Sequence, residues 1–254
     1  PQFPFDWTRS ALGSIMPRND NTLMTWFKRQ LELIFVVHPF PPLMTEHSYA
    51  EMLFPSYDMA NFASWYRYLS DDQRMPARLS QALGDVLPGF SHFNFERYSA
   101  DRRALNAVFV GPDEKLLQYT FTDLSDGQRM LIALYTLAYA NMNASYGAMD
   151  ADLSSDYISE APTLILCIDE PENYIALPEV QPVIRLFQDA RERGTQSLLI
   201  SHHPTTLDYF LIEPIAYWLS REDGLQTRKA LVSTSDDGTG LKPSELVERE
   251  WLDG

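Results

Sequence analysis

The stretch LILCIDEPENY, residues 164–174, decides the fold of this chain. Its first five residues are apolar, and an all-apolar run bounded by acids predicts a central strand of a parallel sheet, buried on both faces. Asp169 and Glu170 follow at the carboxyl end of that strand, where open α/β sheets bind their ligands. An acid there can hold Mg²⁺, and its neighbour can orient or deprotonate an attacking water. A solvated strand end is the alternative, but it requires neither two adjacent acids nor the rigid Pro171 that follows them.

A second apolar strand ends in histidines. Residues 178–193 predict a helix, and residues 197–200 predict the next buried strand. A strand, a helix and a strand at this spacing form the crossover unit of an α/β sheet. The segment LLISHHP then places His202 at the strand end, where an imidazole can donate a hydrogen bond to a phosphate oxygen. His203 is the weaker candidate, and a purely structural histidine is the alternative.

A third segment, LSDGQR at residues 124–129, lies between a predicted strand and a helix predicted over residues 125–141. Ser125 and Gly127 at a helix start expose backbone N–H groups, and the helix dipole there favours an anion such as a phosphate. When the segment is considered alone, a plain capped helix is the other interpretation.

The remaining segments add helices before this unit and strands around it. Apolar spacing and capping residues predict three helices in the first third of the chain, at residues 21–37, 60–69 and 77–87. A change to a two-residue period predicts further strands, at residues 92–99, 104–110, 116–121, 215–219 and 227–232. The fold class is therefore predicted to be α/β.

The composition excludes several classes of protein. Of the 254 residues, 45% are hydrophobic and 22% are charged, which is typical of a globular protein. The single cysteine, Cys167, excludes a disulfide framework and suits a reducing cytoplasm. The longest apolar stretch, residues 130–140, is too short to span a bilayer. A net charge of −15 leaves no overall basic surface for nucleic acid.

Together, the three segments resemble the second half of the nucleotide-binding domain of an ABC-type ATPase. LSDGQR resembles the LSGGQ signature, LILCIDEPEN the Walker B strand with its catalytic glutamate, and LLISHH the strand with the switch histidine. DEPEN followed by SHHP is most similar to the RecF, SMC and OLD-like branch. The resemblance covers residues 116–210 well, with Asp126 standing where the signature usually has glycine.

This resemblance implies a role for each motif residue. Two such domains sandwich ATP, so the motif around Ser125, Gly127 and Gln128 would bind the nucleotide held by the partner domain. Asp169 would bind Mg²⁺, and Glu170 would polarise the attacking water. His202 would sense the γ-phosphate, and the segment around residues 173 and 174 would cross the dimer interface.

One expected motif is missing, because no GxxxxGK[ST] phosphate loop occurs in the 254 residues. The chain also starts with Pro1. We therefore expect the carboxyl-terminal portion of a longer P-loop NTPase that hydrolyses no ATP by itself. Residues 1–115 would form lid helices and middle strands, and residues 116–254 would carry the signature, Walker B and switch-histidine motifs.

The resemblance also implies a setting for the intact protein. It would be a cytoplasmic ATPase that dimerises, or forms a higher oligomer, on binding ATP and acts on DNA or an effector protein. DNA repair, chromosome maintenance and defence against phage are the roles it implies, without a membrane partner. Two alternatives stay open: the ATPase subunit of a transporter, against which the DEPEN and SHHP variants count, and a non-hydrolysing interaction module completed by a partner.

Overall fold

The computed structural model describes residues 11–140, 164–192, 194–209, 216–220 and 228–232, with residues 242, 244, 245 and 249. Its helices and strands follow one another in the order α1 (Thr22–Glu32), β1 (Ile34–Val37), β2 (His47–Ser48), α2 (Phe62–Leu69), α3 (Arg74–Val86), β3 (Phe90–Arg97), β4 (Arg103–Val110), β5 (Leu116–Thr120), α4 (Asp126–Tyr139), β6 (Leu164–Asp169), α5 (Leu177–Glu192), β7 (Thr195–Ile200), α6 (Pro204–Leu207), β8 (Ala216–Ser220) and β9 (Arg228–Val232). The predicted α/β class is confirmed.

A parallel sheet with the order β1-β6-β7 positions the candidate site. β6 pairs with both neighbours in parallel, so that Ile168 lies beside Val37 and Asp169 lies beside Ile200. Alternate residues of β6 are buried, because Leu164, Leu166 and Ile168 belong to one apolar core with residues of α4 and α5. The predicted strand–helix–strand unit at residues 164–200 is thus present as β6, α5 and β7.

The other face of this sheet is open among the described residues. Ile34 and Val36 of β1 are 38% and 52% exposed, and Leu198 and Ile200 of β7 are 55% and 41% exposed. Between these two strands, Ile165 and Cys167 of β6 are half-buried. The prediction of a strand buried on both faces therefore holds for one face only, because no described element covers the second.

A helix-supported antiparallel sheet forms the middle of the chain. β3 and β5 pair with the two sides of β4, and β2 pairs with the start of β4. Both α2 and α3 pack against this sheet, and α2 contributes the buried aromatic side chains of Phe62 and Trp65. Phe62 stacks on Phe121 with ring centroids 4.9 Å apart, just before the LSDGQR segment. The packing joins the middle of the chain to the start of α4.

The helix predicted over residues 21–37 is wrong in its last five residues. α1 ends at Glu32, and residues 34–37 form β1, which pairs with β6. The sequence IFVV of β1 contains β-branched residues, which fit a pleated sheet, and its partner strand lies far along the chain. The error matters for function because His38 now follows a strand of the parallel sheet instead of a helix.

The other predicted elements agree with the structure to within a few residues at their ends. Parts of the predicted carboxyl-terminal unit, including residues 141–163 and most of residues 233–254, lie outside the described residues. Within the described part of the chain, no helix combines the length and the apolar character needed to cross a membrane.

Candidate functional site

Polar side chains follow all three strands of the parallel sheet at one edge. His38 follows β1, Asp169 and Glu170 end β6, and Ser201 and His202 follow β7. The Glu170 N–H donates to the Ile200 carbonyl oxygen at 2.8 Å, which continues the strand pairing by one residue. The predicted site residues of the second and third strand ends are therefore neighbours in the fold.

Glu170 is held between an amide and an imidazole. Its backbone adopts a φ of 50°, in the left-handed region that non-glycine residues seldom occupy. The Asn173 side-chain amide donates to Oε2 at 2.5 Å, and His202 Nε2 lies 3.9 Å from Oε1. The His202 side chain is 80% exposed, whereas that of Glu170 is 29% exposed. The sheet thus brings together the two residues that the sequence predicted to be catalytic.

Asp169 contacts a histidine that the sequence analysis missed. His38 Nδ1 lies 3.3 Å from Asp169 Oδ2. His38 was overlooked because the preceding apolar residues were assigned to a helix. Pro39 is the signal that could have found it, because a residue before proline avoids helical backbone and favours an extended conformation.

A second pair of polar residues fixes the turn that carries His202. The Ser201 hydroxyl donates to Glu172 Oε1 at 2.5 Å, and Ser201 Oγ accepts from the His203 N–H at 3.0 Å. The second carboxylate oxygen of Glu172, Oε2, is buried and has no hydrogen-bond partner. Glu172, the second glutamate of DEPEN, thereby ties the end of β7 to the segment after β6.

The LSDGQR segment begins α4 with a reciprocal cap. Ser125 Oγ accepts from the Gln128 N–H at 3.3 Å, and Gln128 Oε1 accepts from the Ser125 N–H at 3.0 Å. This capping box satisfies two backbone donors of the first turn. Ser125 and Gln128 therefore have the structural role of a helix cap, and their contact with a nucleotide stays a prediction.

Gly127 allows this helix to approach the segment that follows Glu170. A Cβ atom built on Gly127 would lie 2.8 Å from the Tyr174 carbonyl oxygen, a distance that real Cβ contacts do not show. Tyr174 itself has a φ of 68° and contacts the ring of Phe40 edge-on, with centroids 6.1 Å apart. The fold thus places the LSDGQR segment against the end of DEPENY.

Arg129 explains how aspartate is accommodated at position 126. Arg129 Nη2 donates to Asp126 Oδ1 at 2.5 Å, and its Nη1 donates to the Met44 carbonyl oxygen at 3.0 Å. The Arg129 side chain is 12% exposed and that of Asp126 is 43% exposed. The guanidinium therefore offsets the negative charge that Asp126 adds near the start of α4.

Replacing Arg129 tests this pair. We expect Arg129→Gln to lower the free energy of unfolding by about 1 kcal/mol, because it removes charge-assisted hydrogen bonds from a largely buried side chain. Urea unfolding measures the change. Arg74→Gln is the control, since Arg74 and Asp72 form an exposed ion pair at 3.0 Å whose loss should cost little. Equal effects of the two substitutions would contradict a special role for Arg129.

The donor set at the strand ends suits a magnesium ion that also binds phosphate. Among the described residues, no group of three or more His, Cys, Asp or Glu side chains is placed to hold a metal ion. Mg²⁺ seldom uses such a cage, because it keeps several waters and binds one or two carboxylates together with substrate phosphates. Asp169, at the end of a buried strand, offers a carboxylate of this kind.

Comparisons with known proteins identify the family of this chain. A family model described as "AAA domain, putative AbiEii toxin, Type IV TA system" matches residues 32–208, which is more than half of the chain. The match begins before β1 and ends after α6, so it contains every residue of the site described above. No curated protein matches the chain.

Several solved structures are similar to the chain, all at low identity. An Smc head domain with a coiled coil and joint, derived from Pyrococcus yayanosii, is 14% identical with a TM-score of 0.46, and the match covers 77% of this chain and 32% of that one. The SmcHead bound to the C-winged helix domain of ScpA is 13% identical with a TM-score of 0.46, and the match covers 72% of this chain and 48% of that one. A third structure is an Smc head domain with an extended coiled coil, derived from Pyrococcus furiosus and bound to the C-terminal domain of ScpA. It is 12% identical with a TM-score of 0.42, and the match covers 76% of this chain and 43% of that one.

The matched region of this chain thus spans less than half the length of each of these structures. The family match does not depend on these structures, and its range includes the residues of the LSDGQR, DEPEN and SHH motifs. The chain therefore belongs to this AAA-domain family.

Proposed function

We propose that this chain supplies the magnesium-binding and water-activating residues of an ATP-hydrolysing domain. The observation that carries the proposal is the position of Asp169, Glu170 and His202 at the ends of adjacent parallel strands, with His202 Nε2 3.9 Å from Glu170 Oε1. Such strand ends are the usual ligand sites of α/β sheets. The substrate is ATP, and the reaction is hydrolysis of its terminal phosphate.

Each residue has a separate task in this proposal. Asp169 binds Mg²⁺, which neutralises the charge that develops on the phosphate oxygens when it is bound. Glu170 accepts a proton from the attacking water, while the Asn173 amide keeps its carboxylate in place. The His202 side chain is exposed and donates to the γ-phosphate.

A second ATPase domain completes the nucleotide site in this proposal. Ser125 is exposed at the start of α4, and Tyr174, 43% exposed, lies beside the same turn because its carbonyl oxygen approaches Gly127. One surface therefore presents both the signature segment and the segment after the catalytic glutamate. We propose that a second copy binds this surface, with ATP between Ser125, Gly127 and Gln128 of one copy and the phosphate loop of the other.

The phosphate loop itself has to come from outside these 254 residues, which contain no GxxxxGK[ST] motif. The open face of the parallel sheet supports this part of the proposal. Parallel sheets are normally covered on both faces, yet Val36 and Leu198 are more than half exposed. A strand–loop–helix unit that adds a strand beside β7 and covers this face with its helix would bring the loop to the same sheet edge as Glu170.

We expect the 254-residue chain alone to hydrolyse no ATP above background, because no phosphate loop positions the nucleotide. The product of the complete reading frame should be active if it contains that loop. Phosphate release measured on both proteins checks this expectation. Robust magnesium-dependent hydrolysis by the purified chain alone would contradict it.

The single cysteine offers a separate test of whether the proposed strand–loop–helix unit covers the open face of the parallel sheet. Cys167 lies on the open face of β6 and is half-buried, and this burial raises the pKa of its thiol. In the complete protein, the helix of the phosphate-loop unit should slow labelling of Cys167 by a thiol reagent. Equal labelling rates in the 254-residue chain and the complete protein would contradict this placement.

The biological setting is also a proposal. DNA repair, chromosome maintenance and defence against phage are the roles that the RecF, SMC and OLD-like resemblance implies, with DNA or an effector protein as the partner. The description of the matched family names a toxin of a type IV toxin–antitoxin system.

A further inference from the structure

We propose that His38 is a positioning residue of the magnesium site, where its imidazole orients the Asp169 carboxylate for the cation. The inference rests on the proposed function, because it takes Asp169 as the magnesium ligand. Val37 pairs with Ile168 across β1 and β6, so the next residues, His38 and Asp169, leave neighbouring strands at the same level.

The contact between the two side chains is close and shielded. His38 Nδ1 lies 3.3 Å from Asp169 Oδ2, and the side chains are 28% and 31% exposed. The distance is that of an ion pair, although the atoms are not aligned as a hydrogen bond, and Nδ1 is a buried atom without a hydrogen-bond partner. Rotation of the carboxylate toward Nδ1 would give this nitrogen an acceptor and would leave the other carboxylate oxygen for a metal.

A backbone hydrogen bond and a ring contact hold His38 in place, so its imidazole can act as a fixed support. The backbone N–H of His38 donates to the Tyr57 carbonyl oxygen at 2.7 Å, and the rings of the two residues stack at 17° with centroids 6.0 Å apart. Two residues on, the Phe40 N–H donates to the Asp58 carbonyl oxygen at 3.1 Å. These contacts anchor the segment after β1 to the loop before α2.

The chemistry favours positioning over direct coordination. Mg²⁺ is a hard cation that binds oxygen ligands, so a nitrogen beside its carboxylate ligand is better used as a hydrogen-bond donor to that carboxylate. Outer-shell partners of this kind typically account for about 10- to 100-fold in metal affinity. We expect His38→Ala to weaken metal binding by a factor in this range.

Mn²⁺ alone is the probe, because its electron paramagnetic resonance signal reports the free ion directly. The wild-type chain, Asp169→Asn, His38→Ala and His38→Asn are titrated, and the asparagine amide can replace Nδ1 as a donor. We expect the wild-type chain to bind Mn²⁺ saturably and Asp169→Asn to abolish this binding. His38→Ala should weaken it about 10- to 100-fold, and His38→Asn should bind nearly as well as wild type. His92→Ala, which removes an exposed histidine of β3, is the control and should bind as wild type. Thermal unfolding of each variant checks that it folds.

The possible results separate the two proposals. If Asp169→Asn abolishes binding and His38→Ala leaves it unchanged, the role of His38 is wrong while the magnesium site stands. If Asp169→Asn changes nothing, the assignment of Asp169 to the metal is wrong as well. If the wild-type chain binds no Mn²⁺ in the absence of substrate phosphates, the same variants are compared in the complete protein with ATP, and equal Mn²⁺ binding by wild type and Asp169→Asn there overturns both proposals. Nitrogen coupling to bound Mn²⁺ that disappears in His38→Ala would show direct coordination and overturn the positioning role.

Discussion

Glu170→Gln is expected to reduce ATP hydrolysis by the complete protein at least about 100-fold, within the usual range for loss of a general base. Glutamine keeps the size of the side chain and can still contact the Asn173 amide, which donates to Oε2 in the native site. Its amide, however, does not accept a proton from water at neutral pH. Nucleotide binding should therefore persist while the chemical step stops, and an ATP-bound dimer should accumulate.

Phosphate release and size-exclusion chromatography in the presence of Mg²⁺ and ATP measure these two effects. Glu96→Gln is the matched control, since Glu96 is an exposed residue of β3 in the antiparallel sheet, and it should retain wild-type activity. If Glu170→Gln changes neither hydrolysis nor assembly in a folded protein, the chain is better described as a non-hydrolysing interaction module. Purification of the complete protein with a membrane permease would instead favour a transporter subunit.

The parts of the site that could be predicted share a local signal. Asp169 and Glu170 end an uninterrupted apolar run, and His202 follows a second one, so the sequence alone indicates that both lie at a sheet edge. Ser125 precedes an apolar helix, and a serine with glutamine three residues later is the pattern of a capping box. In each case the residues that determine the position are within a few residues of the site.

The parts that could not be predicted depend on contacts between distant segments. The apolar residues of positions 21–37 fit helical spacing, and apart from the Pro39 signal it is the pairing with β6 that separates β1 from α1. That pairing also brings His38 to Asp169, a contact that no local pattern indicates. The tie from Glu172 to Ser201 likewise joins the ends of two strands separated by α5.

The open sheet face shows a different limit of the sequence pattern. An apolar run predicts that a strand is suited to burial on both faces, and Ile165 and Cys167 of β6 do alternate with the fully buried residues. The apolar run does not indicate which element of the protein covers the second face of the sheet. Among the described residues none does, and the exposed side chains of Val36 and Leu198 mark where that covering would lie.

Gly127→Ala is expected to lower the free energy of unfolding by about 2 kcal/mol, as overpacking of a close contact usually does. The new Cβ would lie 2.8 Å from the Tyr174 carbonyl oxygen, so either the start of α4 or the segment after Glu170 has to move. A backbone atom cannot turn away as a flexible side chain can. Because Tyr174 follows the segment that carries Glu170, the shift should also reduce the proposed activity of the complete protein.

Gly84→Ala separates this contact from the general effect of alanine in a helix. Gly84 lies in α3, and a Cβ there would meet the Phe90 carbonyl oxygen at 3.6 Å, an ordinary van der Waals distance. Alanine is a better helix former than glycine by about 0.8–1 kcal/mol, so Gly84→Ala should stabilise the protein while Gly127→Ala destabilises it. We expect urea unfolding to give free energies of unfolding that differ by about 3 kcal/mol between the two variants. Equal stabilisation by both substitutions would mean that α4 and Tyr174 are not in contact, and the approach of the signature segment to the DEPENY segment would have to be abandoned.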